Sequence, residues 1–231
     1  MVSYNRQTVD TPNPIARFSH RSRIRKSLSI VRRCGCGAIL DYGCGAGHFV
    51  NAINVLAGYS CVGYEPFMIE RQHEGLPIFN HLSEIEKRGP FDMVTLFETI
   101  EHLDDNEARL FLSRAASVLK PGGRILFSAP IEIGPAIFAK ELNRSILHRR
   151  PPENTIYELL LAGFLGIPAR RADNIKTSHK GFDYRAAIQF VERECGPVEI
   201  ISYSPLPLVT WYGNSQVFFW ATPRGTQGGS F

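Results

Sequence analysis

Short apolar runs alternate with amphipathic stretches through most of the chain. "AILDY" (38–42), "SCVGYE" (60–65), "LPIF" (76–79), "FDMVTLF" (91–97) and "RILFSA" (124–129) are short, mainly apolar and bounded by polar, Gly or Pro residues, which predicts buried strands, the third of them weak. Between them, "AGHFVNAINVLAG" predicts a helix ending near Gly58. "DNEARLFLSRAASVLK" predicts another, capped by Asp104 or Asp105, with Ala108, Phe111, Leu112, Ala115, Val118 and Leu119 on one face. "PGG" (121–123) is expected to stop that helix before the fifth strand. Strands alternating with helices imply an α/β fold with a doubly wound, mainly parallel sheet. Right-handed crossovers then gather the strands' carboxyl ends on one edge, where ligands bind.

The rhythm changes on either side of this block. Pro12 and Pro14 interrupt the start, and "ARFSHRSRIRKSLSIV" then predicts a helix with Phe18, Ile24, Leu28 and Val31 tending to one side. Residues 131–180 break the alternation with two helical stretches and a loop, "PARRADNIKTSHKG". Because they leave the ligand edge after strand five, they are expected to form a lid or acceptor-binding insertion. "FDYRAAIQFVEREC" resumes as a helix with Tyr184, Ile188, Val191 and Cys195 as its buried stripe, and "VEIISYS" (198–204) and "SQVFFWAT" (215–222) complete the sheet. The expected organisation is a basic helical segment (1–36), a main domain (37–222) carrying the 131–180 insertion, and a loose tail (223–231).

Composition narrows the function classes. The 231 residues are 44% hydrophobic and 21% charged, which suits a globular domain rather than a disordered chain. The expected location is cytoplasmic, since the first residues lack an apolar signal core and no apolar run approaches a membrane span. Five cysteines, an odd number, suit free thiols better than a disulfide framework, and Cys34-Gly-Cys36 lacks two further ligands at metal-site spacing. The net charge of +4 is uneven, because residues 1–36 hold eight Lys/Arg against the single Asp10. The main body is therefore slightly acidic. That disfavours broad nucleic-acid binding: no DNA partner is expected, and RNA is the weaker alternative.

The chemistry concentrates after strand one. In "ILDYGCGAGHFV", Gly43, Gly45 and Gly47 permit a tight turn and close backbone approach to a ligand, but His48 stands where a dinucleotide fingerprint has its third glycine. Glu65 ends strand two, where a carboxylate can accept both hydroxyls of a ribose; on its own this suits NAD as well as any adenosine.

Four segments in order, "ILDYGCGAGHFV", "VGYEP", "FDMVTLFETIEHLDD" and "LKPGGRILFSAP", resemble the motif set of class I S-adenosylmethionine-dependent methyltransferases, in particular the small type with an "EHL" segment after strand four. The resemblance implies a Rossmann-like sheet of seven strands ordered 3-2-1-4-5-7-6, the last antiparallel, and S-adenosyl-L-methionine as cofactor. It places Asp41 near the cofactor's amino acid portion, the turn from Gly43 through Cys44 and Gly45 to Gly47 under the methionine, Glu65 on the ribose, and Phe97 and Glu98 beside the sulfonium. Two of these have plainer readings: Asp41 as the cap of the next helix, and Glu98 as a helix-start residue. Cys44 reads as a small filler rather than a nucleophile.

Methyl transfer from a sulfonium needs alignment above all, and a hydroxyl acceptor also gains from a base. His102 in "EHLDD" and His179 in "SHKGFD" are the candidates, with His102 expected on the same helical turn as Glu98. The expected acceptor is the oxygen or nitrogen of a small molecule, such as a sugar or a polysaccharide or lipid-linked precursor. Rival readings are an RNA methyltransferase, a non-catalytic S-adenosylmethionine-binding regulator and, third, an NAD-dependent enzyme. Arg21, Arg23 or His20 of the leader is a candidate to fold over the site. "AKELNRSILHRR" suits a lid, or peripheral contact with a membrane surface.

Overall fold

The structure, a computed structural model, describes residues 14–67, 75–147, 151–206 and 210–224. Residues 1–13 and 225–231, which take in the leader's start and most of the expected tail, lie outside it, as does the His20 side chain.

Seven strands form one sheet: β1 (Ala38–Tyr42), β2 (Ser60–Tyr64), β3 (Ile78–Phe79), β4 (Phe91–Phe97), β5 (Leu119–Pro130), β6 (Val198–Ser204) and β7 (Gln216–Ala221). Their order is 3-2-1-4-5-7-6, as the resemblance implied. Strands β3, β2, β1, β4 and β5 pair in parallel, and β7 runs antiparallel between β5 and β6.

Helix α1 (Pro14–Cys34) and α2 (His48–Asn54) cover one face; α3 (Leu82–Glu86), α4 (Asp105–Val118) and α7 (Tyr184–Glu194) cover the other. Strand alternation sorts β1 between the two cores. Ile39 packs with Ile30, Val31, Phe49 and Val50, whereas Leu40 packs with Phe111, Leu112 and Val94. The insertion contributes α5 (Ala136–Leu147), α6 (Ile156–Leu160) and a π-helical turn at Leu161–Leu165. Exposed apolar side chains on the insertion include Leu142, Ile146, Tyr157, Phe164 and Leu165.

Several local expectations are refined. Asp104, not Asp105, caps α4: its Oδ1 accepts from Asn106 N and Glu107 N, and Glu107 Oε2 accepts from Asp104 N at 2.9 Å in return. "PGG" does not separate that helix from the next strand. Residues 121–123 lie within β5, which takes up the irregularity as a register shift opposite Phe91–Met93. α2 ends at Asn54, four residues before Gly58. Among the described side chains of α1 the buried ones are Ser27, Ile30 and Val31, while Phe18 is 58% exposed and borders a surface groove with Tyr203 and Pro205.

Candidate active site

β1 ends beside a loop in which Gly43, Gly45 and Gly47 all take left-handed conformations, with φ between +53° and +73°. Gly43 N and Cys44 N both donate to the Tyr64 carbonyl, at 2.8 and 3.2 Å, which binds the loop to the end of β2. At Gly47, φ is +73° and a Cβ would collide with Ile78 Cδ1 and lie 2.9 Å from Leu76 Cδ1, so any other residue strains the backbone and displaces those side-chain ends. Gly47→Ala is expected to cost about 1–3 kcal/mol and to weaken binding of S-adenosylhomocysteine. Urea unfolding and calorimetry check both effects, and an unchanged midpoint would show that the loop yields freely.

Glu65 reaches back to this loop. Its Oε2 accepts from Gly45 N at 2.9 Å and its Oε1 from Phe67 N at 3.1 Å, leaving a lone pair on each oxygen for a ribose hydroxyl. Asp41 is buried and receives a 2.7 Å hydrogen bond from Thr95 Oγ1. Burial raises its carboxyl to about 7; Glu65 adds to the rise, while the Thr95 bond and Arg23 oppose it. It caps no helix, because α2 starts from Gly47 without any side-chain cap. Cys44 fills space: its Sγ lies 2.7 Å from where a Gly63 Cβ would stand, and burial holds the thiol well above its ordinary range.

α1 roofs the loop. A cavity of about 50 Å³ is lined by Arg23, Asp41, Gly43, Cys44, His48 and Phe97, among others. Arg23 Nη1 lies 3.5 Å from Glu98 Oε2, so one leader arginine does fold over the site. That volume is smaller than a nucleoside-sized ligand occupies, and Glu65, across the loop, lies outside it.

Glu98 corrects two expectations. Its φ of +48° is incompatible with a helix start, and the 3₁₀ turn that follows spans only Ile100–His102, so Glu98 and His102 do not share a helical turn. Ser128 holds Glu98 in this pose, its Oγ donating to Glu98 Oε1 at 3.2 Å and its carbonyl accepting from Glu98 N at 3.1 Å.

The two candidate histidines, 77 positions apart, meet. His102 Nε2 and His179 Nε2 lie 3.1 Å from each other. His102 Nδ1 lies 2.8 Å from the Ile175 carbonyl, which only a protonated Nδ1 can engage. Burial lowers the His179 pKa and keeps that ring neutral. Beside the rings is Glu101, 1% exposed, with no hydrogen-bond partner for either carboxylate oxygen among the described residues. Burial, reinforced by Glu98, raises its carboxyl well above the usual range. Arg171 Nη2 donates to the Glu101 carbonyl at 2.6 Å and ties the insertion to this turn. On the far side, His179 lines a cavity of about 230 Å³ together with Glu132, Lys140, Ser178 and Lys180.

Glu101 lies in the "EHL" segment, yet no sequence signal marked it as buried beside both histidines. An acid beside a histidine reads the same whether solvated or buried; Arg171 and Ile175, remote in sequence, gave no signal.

The sequence profile of a family described as a methyltransferase domain matches residues 14–156. The chain belongs to this methyltransferase family. Its cofactor is S-adenosylmethionine, so the NAD reading is overturned. Curated relatives include the "Ubiquinone biosynthesis O-methyltransferase" of Bradyrhizobium sp. (strain ORS 278), 35% identical over 100 residues, which are 39% of this chain and 38% of the relative. The protein of the same name from Rhodopseudomonas palustris (strain HaA2) is 37% identical over 112 residues, 44% of this chain and 42% of the relative. The match thus spans about two-fifths of the length of these relatives. Among solved structures, the PH0226 protein from Pyrococcus horikoshii OT3 has a TM-score of 0.58 at 14% identity, with 96% of this chain and 97% of that one covered. A SAM-dependent methyltransferase from Archaeoglobus fulgidus has a TM-score of 0.51 at 15% identity, with 90% and 99% covered. At such identities the likeness concerns the fold. No helix among the described residues of this methyltransferase is long and apolar enough to cross a membrane.

Proposed function

We propose that the methyltransferase alkylates a hydroxyl oxygen of a small-molecule acceptor held beneath the insertion. The observation that carries this reading is the pair of chambers on one sheet edge. The glycine loop, Asp41 and Glu65 line or flank the first; His102, His179 and Glu101 flank the second. Glu98 stands between them, ion-paired to Arg23 of the first and acting electrostatically on Glu101 and His179 of the second.

When bound, S-adenosylmethionine supplies a methyl group already activated on a sulfonium. The chain's own residues do the rest. Asp41 takes the ammonium end, Glu65 the ribose hydroxyls and the Gly43–Gly47 backbone the methionine portion, with Phe97 and Glu98 beside the sulfonium. The donor set suits such a ligand: carboxylates face its cationic and hydroxyl groups, and the glycine backbone can approach closely. Alignment of acceptor and methyl group can contribute about 7–11 kcal/mol. The His102–His179 pair serves the deprotonation of the acceptor hydroxyl, a role supported by the meeting of the two rings and by His179 bordering the second chamber.

Oxygen is favoured over nitrogen because a neutral amine needs no such group, and because the relatives are named O-methyltransferases. Their link to ubiquinone biosynthesis, together with the exposed apolar side chains of the insertion, supports a quinone precursor with an apolar part. The test is incubation with S-adenosylmethionine and a panel of tailed phenols, sugars and amines, with S-adenosylhomocysteine release and product mass as readouts. Methylation of amines alone, or of nothing in the panel, would count against the proposal.

A pH prediction follows from Asp41. Its carboxyl, raised to about 7, is protonated in the folded chain at pH values where the unfolded chain has already ionised it. Its contribution to stability without ligand is therefore present at low pH and lost as pH rises towards 7. A ligand ammonium favours the ionised form, so affinity for S-adenosylhomocysteine should weaken as pH falls through about 7, by up to ~10-fold per pH unit. Asp41→Asn should bind weakly with a flat profile; calorimetry at several pH values distinguishes the two curves.

A further inference from the structure

We propose that Glu101, His102 and His179 form a binding site for one divalent first-row transition-metal ion, at the acceptor end of the cleft. Three ligand atoms converge: the His102 and His179 Nε2 atoms are 3.1 Å apart, and Glu101 Oε1 lies 3.9 Å from the first and 3.7 Å from the second. A triangle with these sides is acute, and its centre lies about 2.1 Å from every corner. That matches metal–nitrogen distances of about 2.0–2.1 Å and metal–carboxylate distances of about 2.0–2.2 Å.

The independent observation is Glu101 itself. Both its oxygens are buried without a hydrogen-bond partner among the described residues, an arrangement that costs free energy unless something charged compensates. A proton on Oε1 would find the ring nitrogens beside it only at 3.7 and 3.9 Å, beyond hydrogen-bond distance. A cation between the carboxylate and the two rings satisfies all three groups.

The surroundings agree. His102 Nδ1, turned to the Ile175 carbonyl, leaves Nε2 as a lone pair aimed at its neighbours, the orientation that metal-bound histidines share. Two imidazoles and one carboxylate suit Mn²⁺, Fe²⁺, Co²⁺ or Zn²⁺ better than Mg²⁺ or Ca²⁺. Three protein ligands leave coordination positions open, and His179 also borders the 230 Å³ cavity under the insertion.

The ion's task rests on the proposed O-methylation; its binding rests on the geometry alone. An acceptor hydroxyl reaching an open position would become acidic enough to release its proton to solvent water. Its oxygen electron pair then forms the bond to the methyl carbon as the carbon–sulfur bond breaks, leaving its electrons on sulfur.

The test uses the full chain, stripped with a chelator and titrated with Co²⁺ by visible absorption and with Mn²⁺ by electron paramagnetic resonance. One ion per chain is expected. Affinity should fall by about 100-fold or more in Glu101→Gln and in His179→Asn, and stay unchanged when Cys34→Ser and Cys36→Ser remove the other close pair of soft ligands. Glu101→Gln keeps the volume of a buried side chain; should it fail to fold, His179→Asn, at a half-exposed ring, still decides the matter. Absence of one-per-chain binding, or binding indifferent to both ligand substitutions, overturns the site. Full turnover of the stripped enzyme overturns the ion's role in transfer. Tight binding that both substitutions abolish, with no hydroxyl methylated in any acceptor, upholds the site and sinks the oxygen reading instead.

Discussion

His102→Ala is expected to lower kcat by about 10²–10⁴-fold while leaving affinity for S-adenosylhomocysteine unchanged. His102 does not line the cavity at the glycine loop, and its two ring nitrogens engage Ile175 and His179 instead. The loss follows whether the ring receives the acceptor proton or holds an ion that acidifies the hydroxyl. The fold should survive, because the side chain is 28% exposed and α4 carries its own capping box. Steady-state kinetics with a methylated acceptor, beside calorimetry with S-adenosylhomocysteine, separate the two effects. Full turnover in this variant would show that alignment alone suffices and that the polar end of the cleft is structural.

Phe127→Ala should cost about 3–5 kcal/mol, the range for deleting a buried aromatic ring. Phe127 sits on β5 with no exposed surface, stacked on Phe219 at 4.8 Å between ring centroids and 7° between planes, with Phe111 edge-on at 6.0 Å. These rings join β5, β7 and α4, so the void cannot close without moving the antiparallel strand. For a chain of this size the melting temperature should drop on the order of 10 °C. Phe18→Ala is the contrasting case: the ring is exposed, and its removal should change stability by no more than about 0.5 kcal/mol. Thermal unfolding of the two variants side by side would expose an error in either assignment.

Much of the architecture was legible from local signals. The apolar runs at 38–42, 91–97 and 198–204 became strands with those same bounds, since a run of that length and polarity has little choice but to enter a sheet. Local chemistry also identified the glycine loop, because three left-handed turns in five residues require glycine. Phe18 misled for a related reason: helical periodicity tells which way a residue points, but not how far the supporting surface extends beneath it. "PGG" misled because a strand can absorb a turn-forming sequence as a bulge.

By itself, then, the chain determined the alternation of elements, the strand order reached through family resemblance and the glycine loop after the first strand. Those features depend on periodicity, turn geometry and short-range order, all of which are properties of neighbours along the chain. Tertiary structure alone decided that His102 and His179 touch, that Arg23 closes over the glycine loop against Glu98, and that Glu101 is buried with nothing to satisfy its oxygens. Burial and proximity across dozens of residues come from how layers pack, and no local pattern of hydrophobic and polar positions encodes the electrostatic cost at any single point in the interior.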